Sequence, residues 1–448
     1  MSRNSEKVSI ILPSLNVEPY IEKALESVCK QTLHDIEILC IDAGSTDGTR
    51  QIIEKYQKKD SRVLLIESEK KSYGYQVNLG IKKAKGKYIG IVETDDYIHP
   101  DMYKELFDIA EKNNCDYVKA DYDSFYDMGA QEQYSEYHPL FPTDSSCYNK
   151  VINPSKDNYI FTHDQNLWKG IYSSRFLLDN NIKLNETAGA AYQDVGFSMQ
   201  VLSFARRGYY SDKSFYRYRM NRDESSFKSP KALMFVCQEL HFLTNDSRWN
   251  NGLNARAICN RIALAVRGEF HHLFIQLGLP LNDEKNSSCL DQIRTFYKSF
   301  MKDGLWPNVE TESEDKEAVL QIIYEPETFV ESLHAAYMNV EKRKEELYNA
   351  VDFTQKRHVI IFGAGAYGKS CCKDLFNRGI RIVAISDNNQ KLWGTSLFGI
   401  KIVSPAEILN LEGKDNLCFV IANKLHAEEI EKQLIDMGID KQLIVRYR

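Results

Sequence analysis

The most constraining feature of this chain is one pattern that occurs near both of its ends. A short, mostly apolar run passes directly into a turn and then into a helical period. Near the N-terminus the run is Val8-Ser9-Ile10-Ile11-Leu12, and apolar residues then recur at 20, 21, 24, 25 and 28. That spacing marks one face of a 3.6-residue helix. A second strand spans Ile36–Ile41, and AGSTDGT and another helix to about Tyr56 follow it. Arg62–Ile66 and Tyr88–Val92 read as two further strands. Strands alternating with helices imply a largely parallel sheet covered on both faces. The pattern restarts at His358–Phe362, followed by GAGAYG, a helix to about Arg378 and a strand over Ile380–Ile385. In between, segments such as Ala255–Leu277 and Thr328–Ala350 carry helical periods without strand alternation. The expected class is α/β, in three parts: 1–225, a helical region over 226–350, and a small Rossmann-like unit over 351–448. At roughly 150 residues per domain, a length of 448 agrees with that division.

Composition removes several function classes. Lys plus Arg number 57 against 63 Asp plus Glu, a net charge of -6, so no nucleic-acid partner is expected. Hydrophobic residues at 43% and charged residues at 27% describe an ordinary globular chain. No apolar run approaches the roughly 18 residues of a membrane span. The opening MSRNSEKVSIILPS leads into a buried strand and lacks the small-residue cleavage site of a signal peptide. Ten cysteines lie scattered without a CxxC pair, which reads as reduced, buried thiols in a cytoplasmic protein.

Parallel sheets bind ligands at the carboxyl ends of their strands. Asp42 closes the second strand, and Glu93, Asp95 and Asp96 close the strand ending at Val92. Such crowded carboxylates repel one another unless something positive neutralises them. A divalent cation with phosphate oxygens in its shell would do so. The alternative is an acidic turn ahead of a helix starting near Pro100, where acids suit the helix dipole. Spacing alone leaves both open. Asp194, before the helical run Val195–Phe204, is well suited as an N-cap. Gly363, Gly365 and Gly368, with Asp387 at the end of the next strand, fit the dinucleotide fingerprint. Glycines kept for packing explain the same residues.

Longer segments narrow these options. VSIILPSLN, LESVCKQTL, IEILCIDAGSTDGT and GKYIGIVETDDYI occur in this order, and together they resemble the inverting family 2 glycosyltransferases of the GT-A fold. The likeness covers about the first 225 residues. It implies that Pro13 and Ser14 lie beside the nucleotide and that Asp42 belongs to the uracil site. It puts Thr94, Asp95 and Asp96 at the donor. Asp95 would be the principal ligand of Mg2+ or Mn2+, with Glu93 where an Asp is usual. Gly74 would let the donor approach closely, and Asn78 matches the end of the same family stretch. Trp168 resembles the family's tryptophan before the acceptor region, either stacking on sugar or anchoring the subdomain. Asp194 matches the general base. Arg217, Arg219 and Arg222 resemble a loop that closes over the diphosphate; a solvated basic turn is the alternative. Three residues depart from the family pattern: Ala43 for the second uracil-site Asp, Val77 for an Arg, and Asn221 where a His metal ligand often stands.

The resemblance implies a metal-dependent inverting transfer of a hexose or N-acetylhexosamine from a UDP-sugar. The acceptor would be a hydroxyl of a glycan or lipid-linked oligosaccharide in bacterial surface polysaccharide synthesis. The chain would be cytoplasmic, with peripheral contact at the inner membrane face and self-association as open questions. An NAD(P)-linked oxidoreductase led by the C-terminal glycine loop is the competing enzyme reading. A non-catalytic sugar-nucleotide sensor is the third.

Overall fold

The computed structural model describes residues 6–447, apart from 128–132, 143–144, 222–229, 250–252, 282, 303–312, 351–357 and 410–416. The first four strands are β1 (Val8–Ser14), β2 (Ile36–Asp42), β3 (Val63–Glu67) and β4 (Tyr88–Ile91). They pair in parallel in the order β3-β2-β1-β4. Every residue of β1, β2 and β4 is buried, as a sheet covered on both faces requires. The crossovers are α1 (Glu18–Cys29), α2 (Thr49–Lys59) and α3 (Tyr73–Lys83). The third is a helix that the apolar pattern did not announce. Ser72 starts it by accepting a hydrogen bond from the Tyr75 backbone N–H at 3.2 Å.

Beyond β4 the sheet changes character. It continues through β5 (Tyr97–Ile98), β6 (Tyr117–Asp127), β7 (Gln133–His138), β8 (Val151–Ile152), β9 (Gly170–Ser173) and β10 (Gly208–Arg219). The full path is β3-β2-β1-β4-β9-β6-β10-β5, with β7 on β6 and β8 on β10. Strand β9 runs antiparallel to both β4 and β6, and β10 runs antiparallel to β5 and β8. The sheet is therefore mixed, and the expectation of a largely parallel one holds only for its first four strands. β10 mixes buried and exposed positions, so it lacks the continuous apolar run that marks a doubly covered strand.

Four helices follow these strands in the chain or lie between them: α4 (Met102–Asn113), α5 (Asn158–His163), α6 (Ser174–Asp179) and α7 (Gln193–Phe204). Next come α8 (Ala232–Thr244), α9 (Ala255–Phe270), α10 (Glu284–Lys302), α11 (Ser313–Tyr324) and α12 (Pro326–Ala350). Helix α7 is buried almost all round, with α8 packed against it and α9 against α8. At Gly196 a Cβ would lie 1.8 Å from the Glu239 Oε1 of α8, so a side chain there would displace the Glu239 carboxylate.

Compactness divides the chain into two units. The first comprises 1–123, 137–218 and 224–330; the second comprises 124–136, 219–223 and 331–448. The second unit holds β11 (His358–Phe362), α13 (Ala366–Phe376), β12 (Ile382–Ser386), β13 (Ser396–Leu397), β14 (Ile400–Val403), α14 (Pro405–Ile408), β15 (Leu417–Ile421), α15 (Ala427–Asp436) and β16 (Ile444–Arg446). Its sheet order is β13-β14-β12-β11-β15-β16. Its core also takes in Tyr126 and Tyr134, from far earlier in the chain. Tyr134 stacks on Phe376 with ring centroids 4.2 Å apart, and Lys373 pairs with Glu136 at 2.7 Å. Among the described residues, no helix is long and apolar enough to cross a membrane.

Candidate active site

The carboxyl ends of β1 and β2 lie side by side, with Ser14 paired to Asp42. Asp42 is buried. Its carboxylate accepts the Ser45 hydroxyl at 2.5 Å and the backbone N–H groups of Gly44 and Ser45 at 3.2 Å each. These bonds shape the turn after β2, where Gly44 has φ +79°. Gln76, buried on α3, donates to the Ser14 carbonyl at 2.9 Å and to the Ile41 carbonyl at 2.6 Å. It ties the two strand ends together, and nothing in the local pattern singled it out. Thr94, also buried, donates its hydroxyl to the Pro13 carbonyl at 3.2 Å. Pro13, Ser14, Asp42 and Thr94 therefore share one strand-end surface.

The acidic turn after β4 is held by tyrosines. The Tyr216 hydroxyl accepts the Glu93 backbone N–H at 3.0 Å and donates to Asp96 at 2.9 Å. The Tyr73 hydroxyl donates to the Glu93 carboxylate at 2.5 Å. Asp96 is buried, whereas Asp95 is half-buried. Helix α4 has Asp101 as its N-cap, so these acids are not the acidic start of that helix. Burial pushes the Tyr218 hydroxyl pKa up, and the negative charges of Asp96, Asp95 and Glu93 push it further. Trp168 is buried beside this turn, with Tyr216 and Tyr218 stacked on it at 4.2 and 5.2 Å.

Asp194 enters from a tightly constrained loop. Tyr192 has φ +65°, an uncommon conformation for a tyrosine, and its hydroxyl bonds Glu269 of α9. The Gln193 side chain accepts the Ala191 N–H at 2.6 Å and donates to the Thr187 hydroxyl at 2.9 Å. Helix α7 begins at Gln193, so Asp194 sits in its first turn and is not its cap. The Asp194 Oδ1 accepts the Val195 N–H at 3.0 Å. Burial pushes its pKa above the usual carboxylate value; the positive charges of Arg261 and Lys119 oppose that rise. Burial also raises the Tyr73 hydroxyl pKa, helped by the negative charges of Glu93 and Asp194. Tyr73 thus lies within electrostatic reach of both Asp194 and the acidic turn.

The remaining expected residues make well-defined contacts within the protein. Gly74 is buried, and a Cβ there would lie 1.9 Å from the Asn185 carbonyl oxygen. Asn78 donates to the Leu184 carbonyl at 2.9 Å and accepts the Leu184 N–H at 2.9 Å. Both fasten α3 to the 184–186 segment. Val77 and Ala43 are buried. Arg217 pairs with Asp123 at 2.6 Å. Arg219 belongs to the second unit, where it pairs with Asp127 at 3.0 Å and covers the Phe125 ring at 4.8 Å. Asn221 exchanges two hydrogen bonds with the Asp127 backbone, at 3.0 and 2.6 Å. Arg222 lies outside the described residues. Among the described residues, no group of three or more His, Cys, Asp or Glu is arranged to hold a metal.

The glycine loop of the second unit divides by role. Gly363 has φ +117°, and a Cβ there would lie 2.5 Å from the Ala422 carbonyl oxygen. A Cβ on Gly368 would lie 2.0 Å from the Gly363 oxygen, whereas Gly365 is exposed with nothing within 4 Å. Asp387 accepts the Ala364 N–H at 2.8 Å and the Asn389 N–H at 2.8 Å. The acid of the fingerprint is therefore engaged in holding the loop itself.

Comparison with known proteins agrees with this arrangement. The family model described as glycosyl transferase family 2 matches residues 9–171. A second, described as C2185-like, N-terminal, matches residues 355–445. The uncharacterized glycosyltransferase EpsJ of Bacillus subtilis is 31% identical over 219 residues, covering 48% of this chain and 61% of EpsJ. The poly(ribitol-phosphate) beta-N-acetylglucosaminyltransferase TarS of Staphylococcus aureus is 29% identical over 234 residues, covering 50% of this chain and 38% of TarS. The crystal structure of S. aureus TarS residues 1–349 aligns with a TM-score of 0.54 at 20% identity, over 74% of this chain and 91% of that one. The N-terminal half is thus a GT-A-type glycosyltransferase fold. Residues 9–171 are similar to the family 2 glycosyltransferases, and the chain spans about 61% of EpsJ and less of TarS.

Proposed function

We propose that this protein transfers a hexose or N-acetylhexosamine from a UDP-sugar to a hydroxyl of a glycan or polyol-phosphate acceptor, with inversion. The observation that carries the proposal is Tyr73, which has the acidic turn on one side and Asp194 within electrostatic reach on the other. Inversion needs one carboxylate for the acceptor proton and a separate acidic site for the donor. Asp194 supplies the first: its raised pKa makes it a better proton acceptor than an exposed aspartate. The surface shared by Pro13, Ser14, Asp42, Thr94, Asp95 and Asp96 supplies the second. TarS is named as an N-acetylglucosaminyltransferase acting on poly(ribitol-phosphate), which favours UDP-N-acetylglucosamine as the first donor to test.

Glu93 and Asp96 accept tyrosine hydroxyls, and among the described residues no three His, Cys, Asp or Glu are grouped to hold a cation by themselves. Asp95 suits a divalent ion whose shell the donor's phosphates complete. Such an ion would neutralise charge on the departing diphosphate. The chain's own residues do the remaining work. Tyr73 and Tyr216 fix the acidic turn, Gln76 fixes the strand ends, and Asp194 takes the acceptor hydroxyl's proton as the new bond forms.

Calorimetric titration with UDP and UDP-N-acetylglucosamine, with and without Mn2+, tests the donor site. Binding that strengthens with Mn2+, and loses that dependence in Asp95→Ala, is expected. Binding of no uridine nucleotide would overturn the proposal.

A further inference from the structure

Helix α9 belongs to the helical region, outside the matched family segment. It nevertheless presents two side chains to the loop that carries Asp194. Glu269 receives the Tyr192 hydroxyl, and Arg261 lies within electrostatic reach of both Tyr192 and Asp194. Arg261 is 7% exposed, and its Nε has no hydrogen-bond partner among the described residues. A buried guanidinium is costly to fold around unless its charge is used. A shape-filling apolar residue would serve packing alone at lower cost. Burial is strong enough to lower even the Arg261 pKa, while Tyr192 and Asp194 favour its charged form.

We propose that Arg261, a buried cation with an unpartnered Nε, is a positioning residue for the proton-accepting carboxylate, keeping Asp194 ionised from a helix outside the family segment. The inference rests on the reading of Asp194 as the base. Among the described residues, Asp194 is in electrostatic reach of Tyr73 from α3, Lys119 from β6, Tyr192 from its own loop, Glu239 from α8 and Arg261 from α9. Lys119 is fully buried and spends its charge on Asp164 at 2.8 Å. Glu239 is negative when ionised and works against Asp194. Arg261 heads the influences that lower the Asp194 pKa. Tyr192, bent into the left-handed region and pinned to Glu269, keeps the loop in place while Arg261 acts on it.

The test compares full-length wild type, Arg261→Lys, Arg261→Met and Arg261→Gln in donor turnover from pH 5.5 to 9. Retained melting temperature and UDP binding identify the folded variants. Removing the charge should move the acid limb of kcat/KM up by about one pH unit, with most of the lost rate recovered at the alkaline end. Lysine should leave the limb near its wild-type position. In an Asp194→Asn background, Arg261→Gln should change the residual rate less than twofold, because its route to the chemistry is gone. An unmoved limb in folded Arg261→Met and Arg261→Gln would overturn the inference, as would equal losses at every pH. If Asp194→Asn itself keeps full activity, the base assignment falls and this inference falls with it. An unmoved limb alongside an inactive Asp194→Asn would sink the inference alone.

Discussion

Glu239 offers a prediction that can be worked from geometry to measurement. It is 1% exposed on α8, and its Oε2 accepts the Asn185 side chain at 3.1 Å. Its Oε1 lies over Gly196 and has no hydrogen bond among the described residues. Burial, with a smaller contribution from the Asp194 charge, pushes its pKa from the ordinary 4.5 up to about 8. The folded protein therefore keeps Glu239 protonated where the unfolded chain ionises it. A raised folded-state pKa contributes stability that is complete below pH 4.5 and is lost as pH rises through 8. Each pH unit in that window is worth roughly 1.4 kcal/mol, so about 4 kcal/mol is lost between pH 5 and pH 8. Glu239→Gln keeps an acceptor for Asn185 and cannot ionise. Urea unfolding of both proteins at pH 5 and pH 8 should show the wild type losing about 4 kcal/mol relative to the variant over that range. A relative stability that stays constant within about 0.5 kcal/mol would refute the reasoning.

Three other perturbations follow from the same structure. Asp164 is fully buried between Lys119 at 2.8 Å and Lys169 at 3.1 Å, with the Tyr210 hydroxyl at 2.6 Å. Asp164→Asn strands two buried cations, which should cost about 3–5 kcal/mol and lower the melting temperature by on the order of 10 °C; a melting temperature within about 2 °C of wild type would contradict this. Gly365→Ala, at the exposed loop position, should change stability by less than about 0.5 kcal/mol, whereas Gly368→Ala, clashing with the Gly363 oxygen, should cost about 1–3 kcal/mol. Equal effects at the two positions in thermal melts would rule out the packing account of this loop. Tyr134→Ala removes a ring stacked on Phe376 and should destabilise the second unit by about 3 kcal/mol, read as faster proteolysis near residue 376.

The parts of this structure that were legible in sequence are those written in local pattern. Strands β1, β2 and β11 are apolar runs, and an apolar run buried on both faces is visible without any knowledge of its neighbours. The acidic turn and Asp194 were legible because strand ends and motif order point to them. The helix carrying Tyr73 and Gln76 was not, since it packs through glycines and a buried amide and lacks a strong apolar stripe. The contacts of Gly74 and Asn78 with Asn185 and Leu184, more than 100 residues later, had no local signal. The pairing of Arg219 with Asp127 was not legible because Asp127 lies 92 residues before it. Arg261 and Glu239 gave no signal at all, because a charged residue on a helix ordinarily faces water. Their burial follows from the packing of α8 on α7 and of α9 on α8.

The central claim is transfer from a nucleotide sugar with Asp194 as proton acceptor. Release of UDP from a panel of UDP-sugars, in the presence of Mn2+ and with wild type, Asp95→Ala and Asp194→Asn side by side, tests it most directly. The account predicts release from one donor by wild type and a fall of at least about 100-fold in Asp194→Asn with UDP binding retained. Asp95→Ala should lose both the activity and its metal response. Full activity in Asp194→Asn would contradict the mechanism. UDP-sugar binding with no release by wild type, even when candidate glycan and polyol-phosphate acceptors are supplied, would contradict the claim that this site is a transferase.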